Sequence, residues 1–168
     1  MLKIREDQFS TSGEFLRRLI SVFYILIILP LGLFTYLTLA NYEYMRIHPQ
    51  YKISELMVGV FTAFVFLLIF YAYKTFKTKM KKITNGSLKN RLTRYYPVII
   101  TFYIVLNTSL LLTVLLYYFT IDKTLIPTIA ILIGVCSLQS PNLTRIARHL
   151  KLKKADREVL LKGVPIEE

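Results

Sequence analysis

Four long stretches without a charged side chain constrain this fold more than any other feature of the sequence. They cover residues 19–42, 56–73, 95–121 and 124–144, with lengths of 24, 18, 27 and 21 residues. A helix needs about 20 consecutive apolar residues to cross the core of a bilayer. We therefore predict an all-α polytopic membrane protein with four transmembrane helices, at about 19–42, 56–73, 95–121 and 124–141.

The polar segments between these runs divide the chain. We predict a cytoplasmic N-terminal segment at 1–18, a four-helix transmembrane domain at 19–144 with a basic loop at 74–94, and a basic amphipathic tail at 142–168. The first run is longer than the apolar part of a cleaved signal peptide, which has about 7–15 residues. It also contains Pro30, which predicts a kink in the first span.

Lysine and arginine are distributed very unevenly between the two sides of the predicted membrane. Of the 22 basic residues, 19 lie in the N-terminal segment, the 74–94 loop and the tail, and three lie in the other two connections. Cytoplasmic loops of membrane proteins carry the excess of Lys and Arg. We therefore expect a multi-pass protein with both termini in the cytoplasm. The Lys-rich and Ile-rich composition suggests a plasma membrane, and specifically a bacterial inner membrane.

The 74–94 loop contains eight basic residues and no acid. One interpretation is a topology signal alone, and another adds contact with anionic headgroups of membrane lipids. Nothing in the loop resembles a nucleic-acid recognition fold, so we expect no nucleic-acid partner. The residues that we predict to contact anionic lipid or a partner, in the loop and the tail, are Lys77, Lys81, Lys82, Arg91, Arg94, Arg145, Arg148 and Lys151.

The polar segments after the second span and before the first span also show helical patterns. Phe76, Met80 and Ile83 alternate with lysines and predict that the second span continues into the cytoplasm and ends near Asn85. In the N-terminal segment, residues 13–18 predict a small interfacial helix. Pro97 and Pro127 are expected in the first turns of their spans, where proline costs little.

The tail predicts two short amphipathic helices. Apolar residues recur at i, i+3, i+4 and i+7 after Asn142, which is a candidate cap, as is Thr144. A second helix is expected at 155–162, and Pro141 is expected to end or bend the fourth span. A basic amphipathic helix either lies in the headgroup plane or docks on a partner. The predicted apolar stripe is Leu143, Ile146, Ala147 and Leu150.

Small residues four positions apart occur in two spans. Gly59 and Ala63 form such a pair in the second span, and Ala130 and Gly134 form another in the fourth, with Ser137 about one turn further. Small residues allow two membrane helices to approach closely. We predict that these residues pack against another span or against a partner subunit.

The third span holds the polar run Asn107, Thr108 and Ser109. A buried amide in the middle of a bilayer should face protein or water instead of lipid. We expect Asn107 to make a helix-packing hydrogen bond. The alternative is that the run lines a polar path for a substrate.

The four uncharged runs lack ionisable side chains, and this absence narrows the classes of function that the chain can have. They contain no Asp, Glu, Lys, Arg or His, the groups that proton-coupled transport usually needs. The small four-helix drug exporters are similar in helix count, but they carry an acid in the first span. The single cysteine, Cys136, excludes a CxxC pair, and the two histidines lie in different polar segments. We therefore predict no enzyme activity, no catalytic residue, no metal and no cofactor.

These observations favour a non-catalytic integral membrane subunit. Such a chain would assemble with other integral membrane subunits and brace a larger inner-membrane complex for transport, motor function, secretion or respiration. The alternative is a small homo-oligomeric transporter or channel whose path runs past Asn107–Ser109. A lipid-modifying membrane enzyme is a third possibility, but the sequence lacks the clustered Asp, His or Ser that such chemistry needs.

Overall fold

The computed structural model describes residues 11–43, 54–83 and 86–162, with side chains described only to residue 40 in the first range. The predicted outer loop, the Asn85 turn and most of the N-terminal segment lie outside these residues. Within the described ranges the regular structure is helical. In chain order the helices are α1 (Ser12–Glu43), α2 (Glu55–Lys81), α3 (Leu88–Thr120), α4 (Leu125–Leu138), α5 (Leu143–His149) and α6 (Lys154–Lys162).

Three helices, α1, α2 and α3, are long and apolar enough to cross a membrane. Helix α4 has only 14 residues, or about 21 Å at 1.5 Å per residue, and falls short of a hydrocarbon core of about 30 Å. Helix α4 is long enough for a membrane span only if it is counted together with α5, and the chain bends between the two helices. The described chain thus has three or four candidate spans, as a helical membrane protein requires.

The predicted fourth span at 124–141 is therefore longer than the helix found there. Proline disfavours helical backbone in the residue before it, and α4 ends ahead of Pro141. The tyrosine hydroxyl of Tyr103 donates to the carbonyl of Gln139 at 3.0 Å, so the end of α4 is held by a side chain of α3.

Side-chain caps explain where several helices begin. Thr11 Oγ1 accepts from an N–H of the first turn of α1 at 3.1 Å, and Asn142 Oδ1 does the same for α5 at 2.9 Å. Ser54 and Ser87 make longer contacts of this kind, at 3.4 Å, before α2 and α3. Each oxygen satisfies one of the free N–H groups at a helix start. The Asn142 cap confirms the prediction from the sequence.

Two predictions about helix bounds are wrong. Residues 13–18 do not form a separate interfacial helix, because the Thr11 cap starts α1 directly before them and α1 continues through Pro30. Pro97 is not in a first turn, because α3 already begins at Leu88. The predicted extension of the second span is confirmed, since α2 continues to Lys81.

The residues fall into two compact units, each with its own core. The first unit comprises the described residues of 1–23, 73–102 and 140–168, and it packs around buried side chains such as Phe15, Tyr95 and Leu150. The second comprises 24–72 and 103–139 and packs around side chains such as Leu110 and Ile129. The site described next belongs entirely to the first unit.

Candidate functional site

A pocket of about 380 Å³ lies in the first unit beside the C-terminal end of α2. Five of its residues belong to α2 and recur at i, i+3, i+4, i+7 and i+8, which places them on one face of that helix. The other two are the last residue of α5 and a residue just after it. We call this site the basic pocket, and it is lined by Tyr73, Phe76, Lys77, Met80, Lys81, His149 and Lys151.

The basic pocket combines an apolar floor with a cationic rim. Phe76 and Met80 are buried, each with only 7% of its surface exposed. Lys77, Lys81 and Lys151 are exposed and form the rim of the pocket. A long lysine stem can cover apolar surface while its charged end stays at the boundary with water. No carboxylate is among the lining residues. The pocket is therefore suited to a molecule with an apolar part and an anionic group.

Arg91 holds the turn that carries two of the pocket residues. It is 6% exposed on α3, and its guanidinium donates to the carbonyl of Leu150, directly after α5. The same guanidinium lies 3.7 Å from the Asp156 carboxylate in the first turn of α6. A cation at the C-terminal end of a helix also complements the helix dipole. Arg91 thus fixes the positions of His149 and Lys151.

His149 contacts two other helices of the first unit. Its ring lies edge-on to Phe76 of α2, with centroids 5.3 Å apart, and its Nδ1 shares a hydrogen bond of 3.1 Å with the Tyr95 hydroxyl of α3. Burial lowers the pKa of His149 below 6.5, and the charges of Arg145 and Arg148 lower it further. The lowered pKa favours the neutral form of His149 at pH 7, so the charge of the pocket comes mainly from its three lysines.

The eight residues predicted to contact anionic lipid or a partner are found in different environments. Three of them, Lys77, Lys81 and Lys151, line the basic pocket. Arg91 is buried and bonded within its own chain, and Arg145 donates to the carbonyl of Ser140 at 2.9 Å. The remaining three are exposed and do not line the pocket: Lys82, Arg94 and Arg148.

Sequence reasoning missed the pocket because its two sides are far apart in the chain. Phe76 and Met80 stood out as apolar residues among lysines, but nothing indicated that α5 lies against them. The apolar stripe of α5 is turned into the first unit, where Ile146, Ala147 and Leu150 are buried. Three of the four residues of that stripe are therefore covered by the chain itself, and not by lipid headgroups or a partner as expected, while Leu143 is partly exposed.

The predicted small-residue contacts are not made within the described part of the chain. A Cβ added at Gly59 or Gly134 would meet no atom within 4 Å outside its own helix backbone. Ala63, Ala130 and Ser137 are also exposed. The small faces of α2 and α4 are therefore open.

The three members of the polar run of α3 differ in exposure. Asn107 and Ser109 are buried, whereas Thr108 is exposed. Asn107 Nδ2 donates to the Tyr103 carbonyl of its own helix at 2.9 Å, and Ser109 Oγ donates to Val105 in the same way. The expected helix-packing hydrogen bond of Asn107 is not found, and its Oδ1 is buried without a partner.

Over the ranges 11–43, 54–83 and 86–162, no group of three or more His, Cys, Asp or Glu side chains could hold a metal ion. Comparison with known proteins finds no match for this chain among family models, curated proteins or solved structures. The function is therefore inferred from the chain's own geometry.

Proposed function

We propose that this chain is a non-catalytic integral membrane subunit that assembles with and braces a larger inner-membrane complex. In this proposal both termini and the basic pocket face the cytoplasm, in agreement with the 19-to-three distribution of basic residues. The partners are other integral membrane subunits.

The open small faces of α2 and α4 are the observation that carries the proposal. Membrane helices associate through small residues that let their backbones approach, because burial of apolar surface gains little in lipid. Gly59 and Gly134 have open space around them, and Ala63 and Ala130 are exposed one turn away. Two helix-packing surfaces are thus available and unused by the described chain, which favours contact with other membrane subunits.

The alternative, a homo-oligomeric transporter or channel with a path at Asn107–Ser109, has less support. The hydroxyls of Ser109 and Thr113 are bonded to backbone carbonyls of α3, and Thr108 is exposed whereas Asn107 and Ser109 are buried. Of the buried side chains in this run, only Asn107 has a polar atom, Oδ1, without a hydrogen-bond partner. Flux into liposomes that is abolished by Asn107→Leu would favour this alternative over the accessory role.

The test of the proposal compares three glycine variants made in the native membrane. Gly59→Leu and Gly134→Leu add bulk to the open small faces, and Gly32→Leu adds the same bulk at an exposed glycine of α1 without a small residue four positions away. We expect the first two to lose co-purifying membrane subunits and the third to keep them. Retention of the same partners by all three variants would contradict the proposal.

A further inference from the structure

We propose that the basic pocket binds the headgroup of an anionic phospholipid. The occupant has a phosphate-bearing headgroup between the lysines and acyl chains that begin on the apolar floor. This inference is independent of the accessory role, because it depends only on the first unit and on its position at the end of a membrane helix.

The position of the pocket along α2 favours a lipid over a soluble anion. The uncharged run of α2 ends at Tyr73, and Lys77 and Lys81 follow one and two turns later. If α2 crosses the bilayer, these residues lie at the level of the headgroups. Tyr73 and Tyr71 are exposed there, as expected for aromatic side chains at a membrane interface.

The charge and shape of the pocket favour an anionic amphiphile. Three lysines surround a pocket without a carboxylate, so a zwitterionic headgroup would leave its own cation among ammonium groups. A free phosphate ion would not use the apolar surface of Phe76 and Met80. A volume of about 380 Å³ accommodates a headgroup and the start of its chains, while the remaining chain stays in the bilayer.

The pocket is also held in a fixed shape. The α5 wall is capped by Asn142 at its start, and Arg91 bonds the carbonyl of Leu150 at its end. His149 is tied to α2 by Phe76 and to α3 by Tyr95. A preformed site binds its ligand without first having to order its own residues. This distinguishes the basic pocket from scattered surface lysines.

The experiment measures lipid binding to the purified full chain by native mass spectrometry. Phosphatidylglycerol and phosphatidylcholine are titrated in parallel, and the pocket variant Lys77→Gln, Lys81→Gln, Lys151→Gln is compared with the control variant Lys79→Gln, Lys82→Gln, Lys153→Gln. Both triple variants lose the same charge from exposed lysines of the same segments, but the control residues do not line the pocket. Helical content by circular dichroism verifies that each variant is folded.

We expect the wild type to prefer phosphatidylglycerol. The pocket variant should bind it up to about a hundred-fold more weakly, because it loses all three cations that line the site, while the control variant changes much less. An equal loss in both variants would overturn the proposal in favour of general surface charge. Displacement of the lipid by inorganic phosphate or by a polyglutamate peptide at similar concentration would also overturn it, in favour of a soluble anion or an acidic protein segment.

Discussion

The guanidinium of Arg91 on α3 donates a hydrogen bond to the carbonyl of Leu150, 59 residues later in the chain. This contact ends α5 with a buried cation, at a turn where Lys151 has a positive φ of 48°. The Asp156 carboxylate lies 3.7 Å from the same guanidinium and brings the start of α6 into the contact. One side chain therefore joins three helices of the first unit.

Replacement of Arg91 by Met should destabilise the first unit. A buried carbonyl left without its donor costs about 1–3 kcal/mol, and Met keeps much of the side-chain volume. Thermal unfolding of the purified chain in mild detergent, followed by circular dichroism, measures the effect. The control is Arg94→Met, which changes an exposed arginine of the same helix. Equal melting temperatures for the two variants would contradict a structural role of Arg91.

Replacement of Asn107 by Leu should leave the isolated chain as stable as before or more stable by about 1 kcal/mol. Its Oδ1 is buried without a partner, and an unsatisfied buried polar atom opposes folding. The hydrogen bond that is lost goes to a carbonyl of the same helix. Thr108→Leu, at the exposed neighbour, serves as the control in the same unfolding measurement. The prediction would be contradicted if Asn107→Leu clearly destabilised the chain while Thr108→Leu did not, because the isolated chain would then depend on a polar contact of Asn107.

The stability of the first unit should fall as the pH decreases below about 6.5. Burial, Arg145 and Arg148 lower the pKa of His149 in the folded chain, whereas its pKa in the unfolded chain is near 6.5. Between these two values the unfolded chain binds a proton that the folded chain does not, so acid favours unfolding. The Tyr95 hydroxyl that shares a hydrogen bond with His149 is uncharged, and the other charged groups that line the same pocket are Lys77, Lys81 and Lys151.

The measurement compares melting temperatures at about pH 7.5 and about pH 5.5, on either side of the ordinary histidine pKa. Wild type should lose more stability at the lower pH than His149→Gln, which cannot bind the proton. His48, which lies outside the described residues, is present in both proteins and cancels in the comparison. An identical loss in both proteins would exclude His149 as the source.

Single cysteines should label from opposite sides of the membrane. Ser87→Cys lies in the connection between α2 and α3, which we place in the cytoplasm, and Lys123→Cys lies in the connection before α4, which we place outside. In intact cells a membrane-impermeant maleimide should modify only the second. The native Cys136 is buried and provides the unlabelled background. Labelling of Ser87→Cys in intact cells, with Lys123→Cys protected, would contradict the orientation.

Local patterns in the sequence predicted the long helices well. Uncharged length located α1, α2 and α3, the spacing of Phe76 and Met80 predicted the extension of α2, and Asn142 was recognised as a helix cap. These features depend on neighbours within one or two turns.

Features that depend on distant residues could not be predicted in the same way. Arg91 was predicted to contact anionic lipid or a partner, because the carbonyl that it binds, that of Leu150, lies 59 residues away in the chain. The basic pocket needs α5 to pack on α2, and no periodicity specifies that contact. The uncharged run before Pro141 also concealed the break that shortens α4.

The most direct measurement of the accessory role is the native mass of the wild-type chain. The chain is extracted from native membranes in a gentle detergent through a C-terminal tag, and the co-purifying chains are identified. We predict a complex that contains other integral membrane subunits at fixed stoichiometry. Gly59→Leu or Gly134→Leu should disrupt this complex. A monomer, or an oligomer of this chain alone, would contradict the account.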